Sequence, residues 1–255
     1  MMFTVDSKEM QNALDKIQVK GKHLTTGGFS NSSIGSLFWA ELKDNNLSMW
    51  NGDTTFIVCI NMEVEGTKDG NFIADAKEMI PFLKTFDGNV QFDIGDMIKL
   101  SQESKNANLQ KVAIHSGFEA ITRIRTMLGN HVVYEPVPQK LFGFNKTAFE
   151  GAFTLNQEQF KNTLKACELA KSGIYKLDYK EQNVEFSSGN NTSSKYSATI
   201  TPSYNLGEEA TLEFSGPLYS FFDKDQLLNF YVKDEFPLLI VANDRLMVKA
   251  PTVNG

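Results

Sequence analysis

A short stretch of the sequence occurs twice, and this internal repeat limits the possible folds more than any other feature. Residues 3–17 read FTVDSKEMQNALDKI, and residues 153–167 read FTLNQEQFKNTLKAC. Identical residues in the two copies are Phe3 and Phe153, Thr4 and Thr154, Asn12 and Asn162, and Leu14 and Leu164. Two similar segments so far apart indicate a duplicated structural unit, and therefore two related domains.

Each copy has the pattern of a strand end, a helix cap and an amphipathic helix. Asp6 and Asn156 occupy the N-cap position, and Glu9 and Gln159 follow three residues later, which is the layout of a capping box. Apolar residues then recur at the spacing of one helix face. They are Met10, Ala13, Leu14 and Ile17 in the first copy, and Phe160, Thr163, Leu164, Cys167 and Ala170 in the second.

The rest of each half adds strands and one more helix. We predict a helix at 75–86, which Pro81 should shorten or kink, and a short fourth helix at 216–224. The predicted order in each half is β-α-β-β-β-β-α-β-β-β. Few helices among many antiparallel strands indicate an α+β fold, with both helices of each half on one face of its sheets.

The predicted domains follow from the repeat. Residues 1–127 form the N-terminal domain, residues 128–150 a connector, and residues 151–255 the C-terminal domain. The connector is rich in Gly and Pro, which disfavours regular structure, yet it also carries several large apolar side chains. An apolar connector is expected either to pack on a domain or to receive a partner.

The composition is that of an ordinary soluble globular protein, with 41% hydrophobic and 22% charged residues among 255. No apolar run is long enough to cross a bilayer, and the N-terminus lacks the pattern of a secretory signal, so we expect an intracellular protein without a membrane partner. Cys59 and Cys167 lie in apolar patterns and are expected to be buried. The formal net charge of −6 argues against general nucleic-acid binding, so the distribution of charge has to decide that point.

The sequence contains no pattern of catalytic or metal-ligating residues. Its three histidines, His23, His115 and His131, are far apart and lack metal-ligand spacing. No Gly-x-Ser-x-Gly elbow and no phosphate-binding Gly-x-x-x-x-Gly-Lys loop is present. We therefore expect a protein that is not an enzyme and that needs neither a metal nor a cofactor.

The order of the segments resembles that of a DNA polymerase sliding clamp of the two-domain type, the family of proliferating cell nuclear antigen and its phage counterparts. Besides the repeat, the similar segments are NLSMWNGDTTFIVCINMEVEG (46–66), FLKTFDGNVQFDI (82–94) and FPLLIVANDRLMVKAPTV (236–253). The connector occupies the corresponding place between the domains. The resemblance covers nearly the whole chain, and its specificity lies in order and spacing.

The resemblance implies a ring in which six domains surround duplex DNA, with sheets outside and helices inside. Two domains in each chain then imply a homotrimer, whereas the bacterial clamp has three domains in a longer chain. The implied partners are double-stranded DNA, a DNA polymerase, a clamp loader, other proteins with a clamp-binding motif, and further copies of the chain. The implied setting is the cytoplasm or nucleoid, or the nucleus of a eukaryote.

The resemblance also indicates two groups of site residues. The DNA-facing candidates are lysines of the predicted helices: Lys16, Lys20, Lys84, Lys161, Lys165 and Lys224. The candidates for the partner pocket come from the central loop, the connector and the C-terminal tail: Met49, Trp50, Val132, Val133, Tyr134, Pro136, Ala250 and Pro251. The basic set is sparser than in the family, because Gln11, Asn12 and Asn162 occupy helix positions that should face the hole. Weak phosphate attraction without base readout would suit sliding.

Besides an enzyme with an unrecognised site, two alternative functions stay open. A monomeric polymerase accessory factor would share the fold without forming a ring. A structural or adaptor β-rich viral protein would share only the duplication. The mass of the protein in solution distinguishes both from a trimeric clamp.

Overall fold

The structure is a computed structural model that describes residues 1–18, 33–52, 56–113, 149–189, 194–216 and 218–252. These residues form two compact units, which we call unit 1 and unit 2. Unit 1 holds the elements from the N-terminus to residue 110, and unit 2 those from residue 151 onward. The predicted connector, 128–150, lies almost wholly outside the described residues, so its boundaries stay a prediction.

Unit 1 consists of two antiparallel sheets and two helices. Its elements are β1 (Met2–Asp6), α1 (Ser7–Ile17), a 3-10 helix (Ser33–Ser36), β2 (Leu37–Lys43), β3 (Asn46–Gly52), β4 (Phe56–Glu63), β5 (Glu65–Lys68), β6 (Gly70–Asp75), α2 (Ala76–Leu83), β7 (Asn89–Ile94), β8 (Met97–Gln102) and β9 (Lys105–Gln110). The strand orders are β5-β1-β7-β8-β9 and β4-β3-β2-β6. The two helices pack against each other.

Unit 2 has the same plan. Its elements are β10 (Gly151–Asn156), α3 (Gln157–Glu168), β11 (Ile174–Lys180), β12 (Asn183–Ser188), β13 (Tyr196–Ile200), β14 (Tyr204–Gly207), β15 (Ala210–Ser215), a 3-10 helix (Leu218–Phe221), β16 (Leu227–Val232), β17 (Leu238–Val241) and β18 (Arg245–Lys249). The strand orders are β14-β10-β16-β17-β18 and β13-β12-β11-β15. Each strand of unit 2 thus takes the place of a strand of unit 1.

Details of packing confirm the duplication. The ring of Phe3 stacks on Phe92 with centroids 4.6 Å apart, and the equivalent Phe153 stacks on Phe230 at 4.8 Å. Along α1 and α3 the sequence of buried, half-buried and exposed positions is the same, residue by residue. The α+β fold with two pseudo-repeated domains, predicted from the sequence, is therefore correct.

The two predicted helix caps form, and the second is complete. In α3 the side chain of Asn156 accepts a hydrogen bond from the backbone N–H of Gln159 at 2.7 Å, and the Gln159 side chain accepts one from the Asn156 N–H at 3.3 Å. In α1 the Asp6 carboxylate accepts from the N–H groups of Lys8 and Glu9. These side chains satisfy N–H groups that lack a partner within the helix.

The helices bury the predicted apolar stripes in the two cores. Met10, Leu14 and Ile17 of α1 are fully buried, as are Phe160 and Leu164 of α3. The ring of Phe160 packs edge-on against Phe230, with centroids 5.0 Å apart. The helices are amphipathic because one face has to cover the sheets while the other meets solvent.

The structure corrects three predictions about the elements. Five strands, rather than four, lie between α1 and α2 in unit 1, and five lie between α3 and the 3-10 helix in unit 2. The strands that were not predicted include β5 and β14, which have four residues each and no regular apolar alternation. Helix α2 ends at Leu83 rather than at residue 86, keeps Pro81, and leaves Phe82 42% exposed. The fourth helix, predicted at 216–224, is a single 3-10 turn.

The 3-10 turn is short because side chains hold its end in place. The guanidinium of Arg245 donates a hydrogen bond to the carbonyl oxygen of Phe221 at 2.9 Å, at the point where an α-helix would continue. Asp225 then has a positive φ of 70°, which reverses the chain toward β16. Unit 2 therefore has one α-helix among its described residues, against two in unit 1.

Candidate functional site

The predicted DNA-facing lysines lie in different surroundings. Lys84 is exposed at the C-cap of α2, and Lys165 is exposed near the end of α3. Lys16 and Lys161 are half-buried on α1 and α3. Lys20 lies outside the described residues. These positions leave Lys84 and Lys165 as the lysines of this set that are most accessible on the helices.

Lys224 does not lie on a helix, contrary to the prediction. It is exposed in the turn between the 3-10 helix and β16. The prediction placed Lys224 at the end of a fourth α-helix that the structure replaces by a single 3-10 turn. Its place in a nucleic-acid interface stays a prediction, now without the support of a helix.

The outer faces of the helices carry both signs of charge. Lysines on the helices and the C-cap of α2 are Lys8, Lys16, Lys77, Lys84, Lys161 and Lys165. Carboxylates on the same elements are Glu9, Asp15, Glu78, Glu158 and Glu168, and the N-cap residues Asp6 and Asp75 add two more. Most of these acids lie at N-caps or in first turns, where the helix dipole favours them. The lysines are spread along the helices: Lys8 and Lys77 lie in first turns, while Lys16 and Lys165 lie in last turns.

The basic residues are not repeated between the units. The exposed position of Lys8 in α1 corresponds to Glu158 in α3, and that of Asp15 corresponds to Lys165. The fold is duplicated while the charges on its helices have diverged. A nucleic acid on these faces would meet a few separated lysines rather than a continuous basic stripe.

The predicted partner-pocket residues fall into three groups. Met49 and Trp50 lie on β3 and are buried in unit 1, with 0% and 3% of their surface exposed, so they support that unit rather than form an open surface. The connector residues Val132, Val133, Tyr134 and Pro136 lie outside the described residues. Ala250 and Pro251 follow β18 in unit 2 and are half-exposed.

Ala250 and Pro251 lie at the same end of the last hairpin as Phe236 and Pro237, which were not predicted as site residues. The register of β17 and β18 pairs Leu238 with Lys249, so Pro237 and Ala250 come to the same end of this hairpin. Phe236 and Pro237 are also half-exposed. The result is a small accessible apolar surface at one end of the sheet of unit 2.

Buried aromatic rings support this surface. Phe149 packs edge-on against Phe236, with centroids 5.3 Å apart, and contacts Tyr231 at 5.9 Å. Burial raises the pKa of the Tyr231 hydroxyl, so the ring stays neutral. The segment FPLLIV carried the signal for Phe236 and Pro237, since a Phe-Pro pair before a buried strand leaves two apolar side chains at the strand end.

The tail that carries Pro251 is fixed to unit 2. The N–H of Thr252 donates a hydrogen bond to the carbonyl oxygen of Glu213 on β15 at 2.7 Å. The same contact occurs in unit 1, where the N–H of Val112 donates to the carbonyl oxygen of Ile73 on β6. The tail is therefore part of the repeated fold, which holds Pro251 in a defined place.

The two units differ on the face of the sheet that points away from the helix. In unit 1 this face has an open polar cleft of about 550 Å³, lined by Thr4, Asn89, Gln91, Ser101, Gln102 and Glu103. In unit 2 the position equivalent to Ser101 is the buried Val241, and the neighbouring Tyr231 and Leu239 are buried as well. The apolar version of this face is thus specific to unit 2.

The described residues contain no group of His, Cys, Asp and Glu that could hold a metal ion. All three histidines lie outside the described ranges. Both cysteines are buried, as predicted, and burial, with a contribution from Glu168, raises the pKa of the Cys167 thiol to about 11. Such a thiol is a poor nucleophile at neutral pH. Among the described helices, none has the length and apolar character needed to cross a bilayer.

Comparison with solved structures identifies the fold. The DNA polymerase III beta subunit of Thermotoga maritima matches with a TM-score of 0.74 and 14% identity over 100% of this chain, which spans 66% of that protein. The A. fulgidus PCNA, solved with the C-terminal region of FEN-1, matches with a TM-score of 0.71 and 11% identity over 100% of this chain and 99% of its own. The PCNA of Thermococcus kodakaraensis matches with a TM-score of 0.66 and 10% identity over 98% of this chain and 99% of its own.

These matches define a sliding-clamp fold, in agreement with the resemblance seen in the sequence. No model of a known protein family matches the chain, and no curated protein matches its sequence. The chain spans 99% of the length of the A. fulgidus PCNA chain and 66% of the length of the bacterial beta subunit.

Proposed function

We propose that the protein is a sliding clamp, a processivity factor that encircles duplex DNA as a homotrimer and tethers a DNA polymerase and other replication and repair proteins. The observation that carries this proposal is the duplicated unit, which matches PCNA over 99% of the PCNA chain. A clamp needs no catalytic group, and its work is done inside the cell on the chromosome or on viral DNA.

The free strand edges of the two units support ring closure. β9 ends its sheet in unit 1 and β13 ends its sheet in unit 2, with no further strand beside either among the described residues. An exposed edge is open to pairing with another chain. If β9 of one copy pairs with β13 of the next, the contact is head-to-tail, and such contacts form a ring when the rotation between copies closes. Three copies supply the six units that the family's ring requires.

The DNA interface would use a small number of lysines. Phosphate contacts release counterions, so affinity falls with salt in proportion to the number of contacts. We expect that replacing Lys84 and Lys165 with Glu reduces processivity, and that the loss grows as salt is raised. The matched control replaces Lys43 and Lys99, which are exposed on strands, with the same change of net charge.

Primer extension on a long circular template measures this effect. The helix variant should give shorter products than the strand variant at each salt concentration, while circular dichroism shows that both are folded. Equal product lengths for the two variants across the salt series would remove these lysines from the DNA interface.

The client site would lie on unit 2 around Ala250 and Pro251, with Phe236 and Pro237 beside them. A pocket with apolar and aromatic walls suits a short motif with apolar anchors, and truncating such an anchor costs about 2 kcal/mol, or roughly thirtyfold in affinity. The A. fulgidus PCNA provides the analogy, since it was solved with a C-terminal region of a client. The connector residues Val133 and Tyr134 are proposed as the other wall.

Calorimetric titration of the C-terminal peptide of the polymerase from the same source tests this site. Phe236→Ala and Tyr134→Ala should each weaken binding by roughly thirtyfold. Phe82→Ala, which removes an exposed ring from α2 of unit 1, should leave the affinity unchanged. Equal affinity for the Phe236 variant and the wild-type protein would mean that clients bind another surface.

A further inference from the structure

The edge strand β14 of unit 2 differs from its counterpart in unit 1, β5. β5 and β14 are equivalent edge strands, since β5 pairs with β1 and β14 with β10. The register places Glu65 opposite Thr4 and Lys68 opposite Met2 in unit 1. In unit 2 it places Tyr204 opposite Thr154 and Leu206 opposite Ala152. Two charged residues of β5 are thus replaced by two large apolar residues in β14.

Charges on an edge strand prevent its pairing with other chains, and lysine is the commonest such protection. β5 has this protection. β14 does not: Tyr204 is 39% and Leu206 is 42% exposed. Because alternate residues of a strand point to the same face, these two side chains form one exposed apolar surface along the edge. Charged residues protect the edge strand in one copy of the repeat and are absent from it in the other.

Carboxylates surround the end of this edge. Glu208 follows β14, and its N–H donates a hydrogen bond to the carbonyl oxygen of Glu150 at 2.7 Å. Glu209, Asp234 and Glu235 lie on the adjoining loops, and all three are exposed. The nearby cation, Lys233, already pairs with Glu150 at 2.7 Å. The end of the edge therefore has an excess of negative charge.

Two glycines bring these carboxylates together. Gly151 and Gly207 face each other across β10 and β14. A Cβ on Gly207, which has a positive φ of 85°, would collide with the carbonyl oxygen of Glu150, and a Cβ on Gly151 would collide with that of Glu208. The close approach of the two backbones fixes Glu208 beside Glu150, at the end of the apolar surface.

We propose that the β14 edge is a second docking site, which binds an extended segment of a partner protein in which a stretch with apolar residues at alternate positions is flanked by Lys or Arg. The segment would add as a strand to β14, with apolar side chains on Tyr204 and Leu206 and basic side chains toward Glu208 and its neighbours. Charge complementarity determines the occupant, since these carboxylates attract basic side chains and repel DNA.

A peptide and an edge exchange test this proposal. The probe is a fluorescein-labelled eight-residue peptide in which Val alternates with Thr in the middle and Lys occupies both ends. Its binding is measured by fluorescence anisotropy. The main variant combines Tyr204→Glu with Leu206→Lys, which gives β14 the charged residues of β5. The exchange leaves the net charge unchanged and uses residues that the same strand accepts in unit 1, so folding should be preserved.

The wild-type protein should bind the peptide saturably, and the edge exchange should weaken binding by about tenfold or more. Glu208→Gln should weaken it by about twofold to fivefold, because exposed ion pairs contribute little individually. The matched control, Glu103→Gln in unit 1, should have no effect. Exchange of the β14 amide hydrogens with solvent should slow when the peptide is bound.

Several results would overturn the proposal. Equal losses for Glu208→Gln and Glu103→Gln would show general attraction of a cationic peptide to an acidic protein. An edge-exchange variant that binds like the wild-type protein would show that β14 is not the site. Self-association of the wild-type protein that the edge exchange abolishes would identify a second copy as the occupant. Unchanged exchange of the β14 amides would exclude strand addition.

Discussion

Replacing Arg245 with Met should destabilise unit 2, because this side chain holds the 3-10 turn against β18. Its guanidinium donates to the carbonyl oxygen of Phe221 at 2.9 Å and, through Nε, to the carboxylate of Asp244 at 3.2 Å. It also forms an ion pair with Asp223. The Arg245 side chain is only 9% exposed, so these contacts are sheltered from water at their centre.

The size of the effect follows from what the substitution leaves behind. Met fills much of the space of the arginine stem, so little cavity is created. The carbonyl oxygen of Phe221 loses its side-chain donor, which costs about 1–3 kcal/mol for a buried group. The side chains of Asp223 and Asp244 are 46% and 41% exposed and regain water, so breaking the ion pairs costs well below the 3–5 kcal/mol of a fully buried pair. We expect the free energy of unfolding to fall by about 2–4 kcal/mol in total.

Urea denaturation followed by far-ultraviolet circular dichroism measures this loss. Arg245→Lys is the matched control. It keeps the charge but cannot reach both carboxylates and the carbonyl oxygen, so its free energy of unfolding should fall by about 1–2 kcal/mol. An Arg245→Met protein within about 0.5 kcal/mol of the wild-type would refute the reasoning, because surface substitutions away from structural features give effects of that size.

Three further predictions concern the fold of unit 2. Asn156→Ala should cost about 1 kcal/mol in urea denaturation, since it removes the N-cap of α3, and a stability equal to the wild-type would contradict the capping role. Phe160→Ala should cost about 3–5 kcal/mol in the same assay, since the ring is fully buried, and a loss below about 1 kcal/mol would contradict the packing. Burial alone would raise the pKa of the Asp178 carboxyl, but the hydrogen bonds from Lys176 and Thr211 and the charges of Lys176 and Lys180 hold that pKa below its usual value. The stability that Asp178 contributes should therefore be present above about pH 4 and be lost as pH falls further. The difference in unfolding free energy between the wild-type protein and Asp178→Asn should shrink on acidification. A difference that stays constant with pH would contradict this.

The features predicted correctly from the sequence are those with strong local signals. The caps at Asp6 and Asn156 and the apolar faces of α1 and α3 follow from short-range spacing, and a helix that has to cover a sheet needs both. The duplication followed from comparing the two halves. The domain pattern and the fold class could be predicted because both depend on this local periodicity and on the repeat.

The errors arose where tertiary contacts decide the local structure. β14 reads YNLG, and its strand conformation depends on pairing with β10, which lies far away in the sequence. A fourth helix was predicted at 216–224, but Arg245, more than twenty residues later, accounts for its end at Phe221. Phe236 and Pro237 were missed because their place beside Ala250 depends on the register of the last hairpin.

The mass of the protein in solution tests the central claim most directly. Light scattering at micromolar concentration, with and without nicked circular DNA, distinguishes a ring from a single chain. The proposed clamp predicts a particle of three chains, each of 28.6 kDa, with the DNA-bound species also containing three. A mass of 28.6 kDa at every concentration, unchanged by the DNA, would contradict the ring and would favour a monomeric polymerase accessory factor.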